Sequence, residues 1–128
     1  MVPKALGQKV SFQAGEGPIL HPVRNKSEIP RASVDNLNMI LEPIYETVSA
    51  VKSQLPKTVT LIGFAGSPWT VACYMVEGHG SREFNAPRLW ALSDPETFAQ
   101  LIEVLVEATS RYLVEQIRAG AEVVQLFD

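Results

Sequence analysis

The sequence predicts an α/β fold in which parallel strands alternate with helices. Two short segments, Thr58–Phe64 and Glu122–Phe127, are rich in β-branched and apolar residues and have the composition of strands. Helical segments separate them, and each strand ends beside residues whose side chains are suited to chemistry. This alternation is typical of parallel βα units. The apolar character of Thr58–Phe64 further predicts a strand that is covered on both faces.

The amino-terminal residues are predicted to form one helical turn and then a small hairpin. Pro3 to Leu6 can make the turn, which Gly7 ends. Polar and apolar residues alternate over Lys9–Gln13, which is the period of a strand. A glycine-bearing turn at residues 15–17 lets Pro18–Leu20 return as its antiparallel partner.

A charged, proline-containing loop is predicted over His21–Arg31, before a long helix. The apolar residues that follow have helical spacing: Leu37, Ile40, Leu41, Ile44, Val48, Val51 and Leu55. Pro43 would clash with the preceding turn of a continuous helix, and the residue before a proline avoids the helical conformation. We therefore expect the helix to span Pro43 to Leu55, with Val34–Glu42 as a separate turn or extended entry.

The strand Thr58–Phe64 is followed by signals for the start of a helix. Ser67 is a preferred capping residue, and Pro68 suits the first helical position because its missing N–H has no partner there. The helix is predicted to continue to Val76. This connection from strand to helix lies at the carboxyl end of a parallel strand, where α/β folds bind their ligands.

Four residues around this strand-to-helix connection are candidates for a binding site. Gly66 lacks a Cβ, tolerates unusual backbone angles and lets a ligand approach the backbone closely. Phe64 and Trp69 flank the opening, and Tyr74 offers a hydroxyl about two helical turns beyond the predicted cap. The alternative is that Gly66 only forms a tight turn and that the aromatic residues belong to the core.

Two polar residues outside this segment each have two interpretations. His79 lies in the predicted flexible turn Glu77–Ser81, where it is either a general base or a plain surface residue. The G-x-G pattern of that turn is a weak phosphate-loop signal, because it lacks a preceding strand and a third glycine. Asp128 ends the second strand, where it is either a working side chain or the cap of a following helix.

Two helices are predicted between these residues. Pro87–Leu92 forms a short helix with Trp90 towards the core, and Ser93 and Glu96 have the spacing of a capping box for the next helix. That helix has a broad apolar stripe: Phe98, Leu101, Ile102, Leu105, Val106, Thr109, Leu113 and Ile117. Gly120 is placed to end it with a positive φ.

The composition indicates which classes of partner and which kinds of site the chain is not expected to have. The 128 residues have a net charge of −3 with scattered signs, which predicts neither a nucleic-acid surface nor a membrane-binding patch. Cys73 is the single cysteine, and the two histidines lie in no metal-ligand pattern, so we expect no internal disulfide and no metal site. Apolar runs of about 18 residues and a signal leader are also missing, and a cytoplasmic location is expected.

Residues 63–78, GFAGSPWTVACYMVEG, are here called the signature segment. The segment resembles the internal signature of uroporphyrinogen decarboxylases at every position which that signature fixes. The flanks GEGP at 15–18, Ser81 and AGAEVVQLFD at 119–128 are similar to the same family. One departure is His79, where the family commonly has a further glycine. The resemblance extends over essentially the whole chain.

The resemblance implies a (β/α)8 TIM barrel that works without a cofactor as a homodimer. The family removes the four acetate carboxyl groups of uroporphyrinogen III to give coproporphyrinogen III in haem biosynthesis. Such a barrel needs roughly 200 residues or more. We therefore expect residues 1–128 to be a single incomplete domain, about the first half of the barrel and truncated at both ends.

The resemblance also implies roles for particular residues. Phe64 and Gly66 would line the cleft for the macrocycle, and Tyr74 would direct its hydroxyl towards an acetate arm. The carboxylate that accepts the pyrrole N–H groups in the family would lie just upstream of Val2. The arginines, the serine and the histidine of the family site would lie outside this segment. The segment alone is therefore expected to be inactive.

Two alternatives to the decarboxylase remain. Cobamide-dependent methyltransferases share the barrel and part of the pattern, but they use a zinc site of His and Cys residues. The complete signature, including Tyr74, favours the decarboxylase. The second alternative is a truncated, non-catalytic barrel with a structural or interaction role. Flanking sequence with an aspartate and arginines would distinguish an enzyme from this alternative.

Overall fold

The structure, a computed structural model, describes residues 1–13, 15, 17–30 and 34–128. Its helices and strands follow in this order along the chain: α1 (Val2–Ala5), β1 (Val10–Gln13), β2 (Gly17–Leu20), α2 (Val34–Gln54), β3 (Ile62–Gly66), α3 (Pro68–Glu77), α4 (Asn85–Ser93), α5 (Pro95–Arg118) and β4 (Val123–Phe127). In the described residues β1 pairs with β2 and β3 pairs with β4. The α/β character of the prediction is confirmed.

The amino-terminal turn and hairpin are confirmed. α1 is one helical turn, and Gly7 follows it with a φ of 91°. β1 and β2 are antiparallel, with Val10 opposite Leu20. In the turn between them Gly15 has a φ of 86°, while Ala14 and Glu16 lie outside the described residues.

The loop predicted after the hairpin is confirmed as far as the structure describes it. It contains one short 3-10 turn, Lys26–Glu28, whose cap is Asn25. The Asn25 carboxamide oxygen accepts a hydrogen bond from the Ser27 backbone N–H at 3.0 Å. Arg31, the last residue of the predicted loop, lies outside the described residues.

The long helix α2 runs unbroken through Pro43, so the prediction of a separate Val34–Glu42 segment was wrong. A proline removes one helical hydrogen bond, here the bond to the Met39 carbonyl. Pro43 and Met39 are both exposed, so this carbonyl lies on the solvent side. Leu37, Leu41 and Tyr45 are buried on the opposite side, on both sides of the proline along the chain. Their burial outweighs the loss of one exposed hydrogen bond.

The strands β3 and β4 are parallel, which confirms the prediction of βα units. Ile62 lies opposite Val123 and Gly66 lies opposite Phe127. β3 was predicted as Thr58–Phe64, but it begins four residues later and ends two residues later. A turn precedes it, in which the Val59 N–H donates to the Pro56 carbonyl at 2.9 Å. β4 begins at Val123, one residue after the predicted start.

β3 is covered on one face in the described chain, and the predicted cover of its second face stays a prediction for the longer protein. Gly63 and Ala65 are buried, whereas Ile62 and Phe64 are 56% and 61% exposed. The strand therefore alternates between a helix side and an open side. On the helix side, the Gln116 side chain of α5 accepts from the Phe64 N–H and donates to the Phe64 carbonyl, both at 3.0 Å.

Helix α3 begins where the sequence predicts and ends at Glu77, one residue after the predicted Val76. Ser67 is the cap, and its hydroxyl accepts from the Thr70 N–H at 3.1 Å. Pro68 is the first helical residue, and Gly78 ends the helix with a φ of 92°. The glycine is required there because a left-handed residue with a side chain is strained.

The next two helices are confirmed, but α4 begins at Asn85, two residues before the predicted Pro87, and the junction between the helices also differs. Trp90 of α4 is half-buried, and its ring lies 5.7 Å from that of Phe98 in an edge-to-face arrangement. α5 is capped by Asp94 and not by Ser93, because α4 extends through Ser93 and leaves Asp94 as the first non-helical residue. The Asp94 carboxylate accepts from the Thr97 N–H at 3.2 Å. Gly120 follows α5 with a φ of 121°, as predicted.

The core lies between α1, α2, α3 and α5. The largest of its fully buried side chains include Leu37, Leu41, Met75, Leu101 and Leu105. Phe98, Leu101, Leu105 and Thr109 of the predicted α5 stripe are buried, whereas Val106 and Ile117 are 47% and 50% exposed. The other described elements therefore cover only part of the apolar stripe of α5.

An ion pair joins α2 to the start of the parallel sheet and predicts a pH dependence of stability. The hydrogen bond from Lys52 lowers the pKa of Glu122, and the bond from the Leu61 N–H lowers it further. The folded protein thus favours the carboxylate, and its stability rises with pH. In the full-length protein this contribution should be present above the unfolded pKa of about 4.3 and lost as the pH falls through the lower folded pKa.

Urea unfolding of the wild type and of Glu122→Gln from about pH 6 down to pH 3 measures this contribution. The difference between the two midpoints should shrink as the pH falls. Lys52→Met should remove most of the same pH dependence. A difference that stays constant over the whole pH range would contradict the assignment to Glu122.

Candidate functional site

The site lies where the carboxyl ends of β3 and β4 meet the start of α3. The Ser67 N–H donates to the Phe127 carbonyl at 2.6 Å, which joins the two strand ends. The Ser67 hydroxyl donates to the Asp128 carboxylate, and the Thr70 hydroxyl donates to the same carboxylate oxygen at 3.1 Å. The loop between β3 and α3 is therefore held by backbone and side-chain hydrogen bonds at once.

Phe64 lies on the open side of the parallel sheet. It is 61% exposed, and its ring stands edge-on to that of Phe127 with 6.0 Å between the centroids. The two rings are part of a depression of about 500 Å³. Its lining is Ile62, Phe64, Val123, Val124, Gln125 and Phe127. This surface is apolar apart from one amide, and it suits the face of a flat, largely apolar ring system.

Gly66 is the last residue of β3 and does not form a tight turn. Its φ is not positive, so the strand does not use the freedom of glycine to adopt a positive φ at this position. A Cβ at this position would lie 3.1 Å from Val71 Cγ2 and 3.9 Å from Thr70 Cγ2. The absence of a side chain therefore matters for close packing at the start of α3 rather than for the backbone angles.

Tyr74 is half-buried on α3, one helical turn beyond Thr70. Its ring packs on Phe84 with 5.4 Å between the centroids. Among the described residues its hydroxyl has no hydrogen-bond partner. The residue lines a pocket of about 180 Å³ between α3, the hairpin and the amino-terminal residues. The lining is Met1, Pro3, Lys4, Val10, Phe12, Pro18, Leu20, Thr70, Val71 and Tyr74.

The predicted site residues lie on two surfaces that meet at the start of α3. Phe64 faces the sheet depression, whereas Tyr74 faces the pocket beside the hairpin. Gly66 lies between the two surfaces. It is the last residue of β3, and its neighbours Thr70 and Val71 line the Tyr74 pocket. Trp69 packs edge-on against Phe98 at 5.7 Å, so for this aromatic residue the core interpretation is correct in part.

The structure also places His79 and Asp128, the two polar residues that each had two interpretations. His79 is exposed directly after the end of α3, and its Nδ1 lies 2.8 Å from the Gly80 carbonyl. A surface role agrees with this position, and a role as general base stays untested. Asp128 binds the hydroxyls of Ser67 and Thr70, a contact that neither sequence interpretation included.

Cys73 and the acidic residues do not form a reactive or metal-binding centre in the described chain. Burial raises the pKa of the Cys73 thiol, and the negative charges of Asp128 and Glu77 raise it further. The thiol is therefore protonated at neutral pH and a poor nucleophile. Within the described ranges, no three His, Cys, Asp or Glu residues are grouped as metal ligands. None of the described helices has the length and apolar character needed to cross a membrane.

Comparison with known proteins identifies similar sequences over the whole chain. Residues 1–128 match the family described as "Uroporphyrinogen decarboxylase (URO-D)". The uroporphyrinogen decarboxylases of Rhodospirillum rubrum and Mesorhizobium japonicum are each 47% identical over 128 residues, which is 100% of this chain and 37% of theirs. That of Hyphomonas neptunium is 45% identical over 124 residues, 97% of this chain and 36% of the relative. The chain thus spans a little over a third of the length of these relatives.

Proposed function

We propose that this chain, because it belongs to the uroporphyrinogen decarboxylase family, is part of a carboxy-lyase that converts uroporphyrinogen to coproporphyrinogen. The predicted fold class is confirmed, since the fold of this family is a (β/α)8 barrel and β3 and β4 are parallel. Relatives at 44–47% identity are decarboxylases by name, which favours this function over the methyltransferase alternative. Because the chain spans 37% of their length, the activity is proposed for the longer protein.

The position of the signature segment supports the proposal most. Residues 63–78 end one parallel strand and begin the adjoining helix, the place where barrel enzymes bind substrates. Phe64 offers an apolar ring there, and Tyr74 offers a hydroxyl that has no partner among the described residues. These two groups match the two parts of a uroporphyrinogen molecule, namely a ring system and acidic arms.

In the proposed mechanism the macrocycle itself accepts the electrons. Protonation of a pyrrole ring makes it an electron sink, so the bond between an acetate methylene and its carboxyl group can break. Carbon dioxide leaves, and the electron pair of the broken bond enters the ring system. A proton then adds to the methylene carbon to give a methyl group, and the ring releases the proton that it had taken up. The protein orients the macrocycle and stabilises the developing cation, and no bound cofactor is required.

The residues of this chain bind and orient the substrate in that mechanism. Phe64 contacts the face of the macrocycle, and the missing side chain at Gly66 permits close approach of the ring. Tyr74 donates a hydrogen bond to an acetate carboxylate. The family's carboxylate just upstream of Val2 belongs beside Tyr74, because Met1 and Pro3 line the Tyr74 pocket. Tyr74 and that carboxylate then contact the same substrate from neighbouring walls.

The assembly and location of the protein are part of the same proposal. Residues 1–128 form a single incomplete domain that is completed by the rest of the barrel. The complete enzyme is a cytoplasmic homodimer. The open side of β3, where Ile62 and Phe64 are more than half exposed, supports a barrel interior that other strands enclose.

Turnover of uroporphyrinogen by the purified full-length protein tests the function. We expect coproporphyrinogen as the product, detected by chromatography after oxidation of both compounds to their porphyrins. The isolated 128-residue chain should give no turnover. A full-length protein that folds but leaves uroporphyrinogen unchanged would favour the non-catalytic barrel and refute the proposal.

Gly66→Val in the full-length protein should weaken substrate binding more than folding. The new Cβ moves the Val71 methyl by a few tenths of an ångström, which costs about 1 kcal/mol. The added methyl groups also occupy space beside the proposed cleft, and we expect an affinity for uroporphyrinogen about tenfold lower. Melting temperature and substrate affinity are compared with those of the wild type. Unchanged affinity in a folded variant would remove Gly66 from the binding site.

A further inference from the structure

The carboxylate of Asp128 joins two consecutive βα segments at the proposed site. It follows β4, yet both of its hydrogen bonds are made to the start of α3, with the hydroxyls of Ser67 and Thr70. Ser67 is 7% exposed, so this end of the network is shielded from solvent. The partners are 61 and 58 residues away along the chain, so the contact exists only when β3 and β4 are paired.

The electrostatics of α3 give this contact a second effect. The first turn of α3 contains no acidic residue of its own. The Asp128 carboxylate supplies a negative charge at the helix amino terminus, where the helix dipole favours one. The Ser67 hydroxyl accepts from the Thr70 N–H while it donates to Asp128, so it links the backbone of the first turn to the carboxylate. The orientation of the first turn of α3 therefore depends on Asp128.

The first turn of α3 is directly connected to the Tyr74 pocket. Thr70 and Tyr74 are four residues apart and share one face of the helix. Both line the same pocket. A Thr70 side chain that is fixed by Asp128 keeps its methyl group near Gly66, with 3.9 Å to the ideal Cβ position there. One hydrogen-bond network thus sets the positions of the pocket wall and of the strand end.

We propose that Asp128 is a positioning residue that holds α3 so that Tyr74 meets the substrate in the correct geometry. The inference rests on the decarboxylase function proposed above. Asp128 does not touch the substrate itself; it acts through Thr70 and Ser67. Small displacements of orienting groups are costly in catalysis, because a shift of about 1 Å can reduce a rate about a hundredfold. Loss of one anchor with the helix still formed should have a smaller effect, about tenfold in kcat/KM.

The experiment compares Asp128→Ala with a matched control in the full-length protein. Asp94→Ala removes another aspartate that caps a helix, α5, through the Thr97 N–H. Both variants should lower the melting temperature, but Asp128→Ala alone should lower kcat/KM per folded molecule, by about tenfold. Thr70→Val removes one hydroxyl without changing the shape of the side chain and should lower kcat/KM in the same direction. Thr70→Ser should restore it.

A double variant distinguishes positioning from a direct role. If Asp128 acts through Tyr74, Asp128→Ala should have less than about a twofold effect on kcat/KM in a Tyr74→Phe background. Independent, multiplicative effects would overturn the inference, as would full activity of a folded Asp128→Ala variant. If the Asp128→Ala variant does not fold, a Thr70→Val variant with the same kcat/KM as the wild type would overturn the inference instead. A wild type without turnover would refute the proposed function and this inference together.

Discussion

Gly63→Val in the full-length protein is expected to lower the free energy of unfolding by roughly 3–5 kcal/mol. A Cβ at this position would lie 2.9 Å from the Gln116 Oε1 atom and 3.1 Å from the Ala121 Cβ. Gln116 would be displaced from the two backbone hydrogen bonds that it makes with Phe64. The cost combines overpacking against α5 with a buried polar contact that is broken.

Denaturant unfolding of the full-length protein measures this loss, with Gly66→Val as the matched control on the same strand. Gly63 faces α5, whereas Gly66 is at the strand end, where its neighbour is a single methyl group of Val71. Gly63→Val should therefore be clearly the less stable of the two variants. Equal stability would mean that α5 does not approach β3 as closely as the structure has it.

The elements whose ends have local signals were predicted well. Ser67 and Pro68 mark the start of α3 at the predicted residues, and Gly120 follows α5 with the predicted positive φ. Such signals depend on one backbone conformation or one nearby hydrogen bond, so neighbouring residues are sufficient to recognise them.

The errors in the fold have a common cause in tertiary packing. Pro43 is a local signal against a helix, but the burial of Leu37, Leu41 and Tyr45 on one side of α2 overrides it. The capping box at Ser93 has the correct spacing, yet α4 continues through this residue and gives the cap to Asp94. Neither outcome is visible without knowing which faces are buried and where the preceding helix ends.

The candidate site shows the same difference between local signals and distant contacts. The signature segment identified Phe64, Gly66 and Tyr74 as candidates because they lie within one contiguous motif. The hydrogen bonds of Gln116 and Asp128 were not predicted, although Asp128 was a candidate, since each joins residues more than 50 positions apart in the chain. A buried glutamine on the apolar face of α5, 3% exposed, is the signal that could have indicated a polar contact with the sheet.

Tyr74→Phe in the full-length protein should lower kcat/KM for uroporphyrinogen by about ten- to a hundredfold. A hydrogen bond to a charged group contributes roughly 1.5–3 kcal/mol, and about 1.4 kcal/mol corresponds to a factor of ten in rate. The fold should remain intact, because the phenyl ring still packs on Phe84 and among the described residues the lost hydroxyl has no partner. Steady-state kinetics and a melting curve on the same preparation provide the measurement.

Tyr45→Phe is the matched control, because Tyr45 is a core tyrosine on α2, away from the Tyr74 pocket. Its ring packs on Tyr112 with 6.1 Å between the centroids, and burial raises the pKa of Tyr45 to about 12, with a smaller contribution from Glu115. Loss of this hydroxyl should change kcat/KM by less than about twofold. If Tyr74→Phe also keeps the wild-type kcat/KM, or loses activity only in proportion to unfolded protein, Tyr74 packs against Phe84 without acting on the substrate.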